Sequence, residues 1–162
     1  MISAMSTAQI FQAKIHAPFG VLGICCNENA LIHIEFLSPK TELQSPVSKF
    51  AQETSRQLAE YFSNPDYIFT LPLAFKGTAH QNKVWQAMCA IPRGHTRQYG
   101  ELARELSSSA RAVGQACGAN PLPIVIPCHR IVSKVGMGGF AHHSAGYEID
   151  IKRWLLAHEA KQ

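Results

Sequence analysis

The chain changes its hydrophobic rhythm once, near residue 78, and that change limits the fold more than any other feature. From Phe11 to Leu37 short apolar runs are divided by Pro18-Phe19-Gly20 and Asn27-Glu28-Asn29, which reads as three β segments with tight turns. Ser38 to Ser45 reads as a loop, Val47 to Phe62 as a helix closed by Asn64-Pro65-Asp66, and Phe69 to Phe75 as extended chain. From Ala79 the spacing becomes helical. Thr78 is placed to cap a helix that buries Val84, Trp85 and Met88 and stops before Pro92. Tyr99–Leu106 and Ala110–Cys117 read as two further helices across the polar turn Ser107-Ser108-Ser109, a helix-turn-helix pattern. Ile151 to Ala160 reads as the last helix. These elements predict an α+β protein. Residues 1–75 would form a small sheet domain with a helix, and residues 76–162 a mainly helical, winged-helix-like domain, with Lys76-Gly77-Thr78 as linker.

Charge divides at the same place. Residues 1–75 carry four Lys or Arg against six acids, a net of −2, whereas residues 76–162 carry eleven against five, a net of +6. A basic half suits an anionic partner such as nucleic acid. No apolar run approaches 18 residues, so no membrane span is expected, and Met1 to Gln9 shows no secretory pattern. The five cysteines, Cys25, Cys26, Cys89, Cys117 and Cys128, are odd in number and form no disulfide framework, so a reducing cytoplasm is expected. Cys89 and Cys117 read as small core residues. Cys25, Cys26 and His33 have no zinc-like spacing, and no metal site is expected.

Within the basic half, Ile126-Pro127-Cys128-His129-Arg130-Ile131-Val132-Ser133 carries the chemistry. A thiolate needs a base or nearby positive charge, and His129 and Arg130 offer both. Pro127 fixes its own φ and stiffens the approach. Such a cysteine also fits a buried position at a strand end. On extended chain Cys128 and His129 would point to opposite sides, so a water bridge between them is expected rather than a direct bond.

Other motifs share this half: Lys83-Val84-Trp85-Gln86-Ala87-Met88, Ile91-Pro92-Arg93-Gly94, Gln98-Tyr99-Gly100-Glu101-Leu102-Ala103, Ala110-Arg111-Ala112-Val113-Gly114, Asn120-Pro121, Gly138-Gly139-Phe140 and Lys152-Arg153-Trp154-Leu155-Leu156-Ala157-His158-Glu159. In this order and spacing the chain resembles the O6-alkylguanine-DNA alkyltransferases over residues 76 to 159, and more loosely over 10 to 75. The resemblance implies repair by direct, irreversible, single-turnover transfer of an alkyl group from guanine O6, and by extension thymine O4, to Cys128. It implies a suicidal, stoichiometric methyltransferase that uses no cofactor and acts as a monomer on alkylated double-stranded DNA through the minor groove.

The same resemblance assigns roles. Cys128 is the nucleophile, His129 the base, Glu159 its orienting acid, and Asn120 the brace of the active-site turn. Tyr99 faces guanine N3. Arg111 enters the base stack, and Ala112, Gly114 and Arg130 join it at the DNA. Ile131, Phe140 and Ala141 line the pocket. The small side chains of Ala110–Cys117 suit close approach to a shallow groove rather than reading of base edges. Activation of this kind implies a lowered Cys128 pKa. His80 and Gln98 depart from the family pattern, as does a long link from Ala141 to Asp150. The family's zinc-ligand pattern does not map here.

Competing readings remain at this point. A non-catalytic alkylguanine-binding relative would lack the cysteine. A DNA-binding regulator would carry recognition side chains on Ala110–Cys117. A thiol hydrolase would turn over repeatedly.

Overall fold

The structure, a computed structural model, describes residues 10–139 and 147–160. Strands β1 (Ala13–Ala17), β2 (Gly20–Cys26) and β3 (Leu31–Leu37) form an antiparallel sheet in sequence order. Ala13 pairs with Ile24 and Ala17 with Gly20, while Ile24 also faces Ile34 on β3. The sheet is followed by helix α1 (Lys49–Ser63), whose N-cap Ser48 accepts from the Ala51 amide. A Ser side chain there satisfies one of the amides that the first turn leaves unpaired. The helix buries Ala51, Leu58 and Tyr61.

The segment expected to be extended, Phe69–Phe75, runs beside β3 without forming a regular strand. The Leu31 amide donates to the Pro72 carbonyl, and the Ala74 amide donates to the Leu31 carbonyl. Helix α2 (Ala79–Cys89) begins at Thr78 with a reciprocal capping box to Gln81, and it buries Val84, Trp85 and Met88 as expected. The short strand β4 (Arg97–Gln98) leads directly into α3 (Tyr99–Glu105). A four-residue connection, in which Ser107 takes a left-handed φ of 53°, leads to α4 (Ala110–Gly118), capped by Ser109. The Trp85 indole N–H donates to the Ala116 carbonyl at 2.9 Å and ties α2 to α4.

A 3-10 turn (Cys128–Arg130) runs into β5 (Ile131–Val132), which pairs in parallel with β4, Arg97 facing Ile131 and Gln98 facing Val132. Helix α5 (Tyr147–Glu159) starts four residues before the expected Ile151. Glu148 and Asp150 occupy its first turn, where acids favour a helix N-terminus. The Tyr147 hydroxyl donates to the Leu37 carbonyl at 3.1 Å, fixing this end to the sheet. The expected long link to Asp150 is corrected accordingly, because Tyr147 to Asp150 belong to the helix.

The buried apolar residues form one cluster, from Ala13 and Ile24 through Leu58, Trp85 and Val113 to Leu155. The two halves of the chain therefore share a core. Among the described residues no helix is long and apolar enough to cross a membrane.

Candidate active site

Cys128 lies at the start of the 3-10 turn, after a loop held from several directions. Asn120 is the brace: its side-chain N–H donates to the Ile126 carbonyl at 2.8 Å, and its Oδ1 accepts from the Leu122 amide at 2.9 Å. The Ile34 amide on β3 donates to the Pro121 carbonyl at 2.9 Å, so the sheet edge supports the same loop. Ile124 takes a φ of +78°, a strained conformation for a β-branched residue. Strain of this kind persists only where surrounding contacts over-determine the backbone.

The chain at Cys128–His129 is helical rather than extended, which corrects one premise of the sequence reading. The Arg130 amide donates to the Pro127 carbonyl at 3.0 Å. Successive side chains on a 3-10 turn are about 120° apart, so the two still diverge. His129 turns toward α5. Its Nε2 lies 2.8 Å from Glu159 Oε2, and both side chains are almost wholly buried. His129 Nδ1 is buried and has no hydrogen-bond partner among the described residues.

Glu159 is far from the surface acid its place near the chain end suggests. Oε1 accepts from Arg130 Nε at 2.8 Å, and Oε2 accepts from Arg130 Nη2 at 2.9 Å. Burial alone would raise its pKa, but hydrogen bonds from His129 and Arg130 outweigh it and hold the carboxyl well below the usual range. It stays ionised. Burial pushes His129 down despite the opposing carboxylate, so the imidazole rests neutral.

The Cys128 thiol departs from expectation. Burial pushes its pKa up to about 11, against the lowering influence of Asn120 and of Lys152. The expected lowered resting value is corrected: positive charge is present, but the thiol is too deeply buried to ionise on its own. Cys117 is buried too and is pushed up to about 12, first by burial and then by Cys128. Cys89 is exposed, contrary to its reading as a core residue. A cavity of about 210 Å³ reaches Cys128, with Asn120, Pro123 and Cys117 on one side and His33 and Phe36 of β3 on the other.

The remaining expected residues are distributed as follows. Arg111 stands exposed in the first turn of α4, with Ala112 and Gly114 beside it and half-buried. Tyr99 lies at the start of α3, against Gly114 and Gly138, and its hydroxyl reaches the Gly139 carbonyl at 3.3 Å. Gly138 has a φ of +75°, and a Cβ there would fall 2.8 Å from the Tyr99 ring, so both geometry and space call for glycine. Arg130, expected at the DNA, is engaged elsewhere: besides Glu159 it donates to the Ile91 carbonyl at 2.6 Å. The Ile131 side chain is fully buried and its carbonyl accepts from Lys152 Nζ at 2.7 Å, which fixes the backbone of the segment expected to hold the base edge. Phe140 and Ala141 lie outside the described residues. His80, the departure noted in α2, reaches Ser108 Oγ at 2.7 Å and joins the helix to the turn before α4.

Two residues were given no role by the sequence. Lys152 is fully buried, and its Nζ donates to the carbonyls of Ile131, Met137 and Gly139 at 2.6–2.8 Å. Tyr61 of α1 donates its hydroxyl to Glu159 Oε2 at 2.7 Å. A lysine among apolar residues on a helix was a readable signal. The Tyr61 contact spans 98 positions in sequence, and nothing local announces it.

A buried thiol, followed in the chain by a buried imidazole that is itself held by a carboxylate, has the makings of a cysteine-based enzyme. Two family models match the chain, 6-O-methylguanine DNA methyltransferase, ribonuclease-like domain, over residues 10–75, and 6-O-methylguanine DNA methyltransferase, DNA binding domain, over 79–161. A methylated-DNA–protein-cysteine methyltransferase of Methanosarcina barkeri is 40% identical over 150 residues, covering 88% of this chain and 92% of its own. One of Salmonella typhimurium is 36% identical over 171 aligned positions, covering 93% and 96%. The crystal structure of the Mycobacterium tuberculosis O6-methylguanine methyltransferase matches with a TM-score of 0.78 and 32% identity over 93% of each chain. The chain belongs to the O6-methylguanine-DNA methyltransferase family, and it is a DNA-repair methyltransferase of the methylated-DNA–protein-cysteine kind.

Proposed function

We propose that the protein removes an alkyl group from guanine O6 in double-stranded DNA by one irreversible transfer to Cys128. The observation that carries this is the buried Cys128-His129 pair in the family motif, with His129 Nε2 held 2.8 Å from Glu159 Oε2. The unpartnered His129 Nδ1 is the atom suited to take the thiol proton, through a bridging water. Sulfur then attacks the alkyl carbon, the carbon–O6 bond breaks, and guanine leaves as its O6 anion, which takes a proton. Tyr99, whose hydroxyl stays protonated because burial pushes its pKa up to about 12, donates a hydrogen bond on the guanine side, while the proton that the anion takes comes from solvent and His129 gives its own back to solvent. The thioether product cannot ionise, so each molecule acts once. The same chemistry extends to thymine O4.

The damaged atom lies inside the duplex, so the base must be extruded. We assign α3 and α4 to a helix-turn-helix that enters the minor groove. Arg111 acts as the wedge, and Ala112 and Gly114 allow close approach of the backbone. Arg130 is assigned to hold Glu159, not DNA. A Mycobacterium tuberculosis relative solved in complex with DNA matches this chain at 33% identity with a TM-score of 0.75, which supports DNA as the partner. Residues 1–75 are the supporting domain, residues 76–162 the acceptor domain, and the protein works as a monomer in the cytoplasm without a cofactor.

The test is an incubation with duplex carrying labelled O6-methylguanine, followed by peptide mass mapping. One methyl group per protein on the Cys128 peptide is expected, with none after Cys128→Ser, which still binds DNA. Repeated turnover, or label on Cys89 or Cys117, would falsify the assignment.

A further inference from the structure

The Glu159 carboxylate receives a hydrogen bond from outside the acceptor half. Its Oε2 is shared by His129 Nε2 at 2.8 Å, Arg130 Nη2 at 2.9 Å and the Tyr61 hydroxyl at 2.7 Å. Tyr61 belongs to α1, which packs on the N-terminal sheet. Its ring is almost fully buried between Phe69, with centroids 5.5 Å apart, and the edge of His158 at 5.2 Å. His158 Nε2 meets the Tyr61 carbonyl at 2.7 Å, so backbone and side chain of one residue are both attached to the last turn of α5. Packing alone would be met by phenylalanine. The hydroxyl adds a buried polar group whose partner is the relay acid, and an ionised acceptor makes that bond a strong one.

We propose that Tyr61 is a positioning residue of the transfer reaction, so that the N-terminal half supplies one donor of the proton relay. Three donors on one oxygen fix the carboxylate, and the fixed carboxylate fixes the imidazole. The hydroxyl also draws negative charge away from the oxygen that His129 uses. Without it Oε2 is more negative, an imidazolium at His129 is better stabilised, and the base becomes protonated at higher pH. The other groups at this carboxylate act unchanged: Arg130 from the 3-10 turn, Arg93 through its Nη1 bond to the Glu159 carbonyl at 2.8 Å, and His158 on the same helix. The charge of Lys152 on the same helix works in the opposite sense to the carboxylate, lowering the His129 pKa, and is also left unchanged.

The proposal rests on the methyl-transfer reading, and the experiment separates the two. Single-turnover transfer from O6-methylguanine duplex is followed across pH for the full-length wild type, Tyr61→Phe, Glu159→Gln and the double variant, with duplex affinity and melting temperature measured alongside. A wild type that transfers nothing ends the functional reading itself. In an active protein, Tyr61→Phe is expected to keep its DNA affinity, to slow transfer about 3- to 10-fold on the plateau, and to move the acid limb to higher pH. In the Glu159→Gln background the same change should add no further slowing. A pH profile superimposable on wild type overturns the proposal, whatever happens to the melting temperature. So does full additivity in the double variant, which would place Tyr61 outside the relay.

Discussion

At the scale of single residues, burial keeps the proposed nucleophile protonated at rest. Burial holds Cys128 up near 11, and the base beside it is neutral. A neutral thiol costs little to bury, whereas a free thiolate there would cost much. The consequence is measurable. Alkylation of Cys128 by iodoacetamide should titrate with a midpoint well above the ~8.5 of free cysteine. A midpoint at or below that of free cysteine would mean the thiolate already exists in the resting protein. Transfer from DNA should behave differently if, as proposed, His129 removes the proton during attack. Its rate should stay level at neutral pH and fall only in acid, once His129 takes a proton.

Helices and loops decide what surrounds that thiol. Helix α4 presents small side chains and exposed Arg111 on the face assigned to DNA. Arg111→Ala should slow repair of duplex strongly, because unstacking then proceeds without its wedge, a cost of a few kcal/mol. Reaction with free O6-benzylguanine, which needs no extrusion, should change little. Equal losses with both substrates would show that Arg111 supports the pocket instead. Behind the pocket, Lys152 of α5 holds three carbonyls of the segment from Ile131 to Gly139 with the three donors of an ammonium group. Lys152→Met keeps the stem and removes the donors. It should cost about 2–4 kcal/mol in urea unfolding, since unpaired buried carbonyls outweigh the relief of burying a charge. Burial lowers Lys152 from 10.5 to about 8. Between those values the unfolded chain binds more protons than the folded one, so this group's contribution to stability rises with pH from about 8 to 10.5. Lys152→Met should lose that rise, and an unchanged slope would mean the lysine is not titrating as described.

Over the whole molecule, charge and connectivity act together. The +6 half should release counterions when it meets phosphates, so duplex affinity should fall steeply as salt rises. A salt-independent affinity in a gel-shift or anisotropy titration would count against DNA docking by this half. The sheet half shares a core with residues 76–162 and reaches the site through Tyr61 on Glu159, Ile34 on the Pro121 loop and the β3 side chains at the cavity beside Cys128. Much of this was determined by sequence alone. The hairpin strands, the helix cap at Thr78 and the turn at Ser107-Ser108-Ser109 follow from local spacing and turn residues, which act over a few neighbouring positions, while the role of Glu159 came from the family resemblance alone. Tertiary structure decided the rest. The raised thiol pKa, the diversion of Arg130 to Glu159, the burial of Ile131 and Lys152, and the Tyr61 hydroxyl on the relay all depend on desolvation and on partners 13 to 98 residues away. Burial and long-range pairing are properties of the packed chain: a local pattern can hint at them, as Lys152 among apolar residues does, but the partners are chosen only when the chain packs.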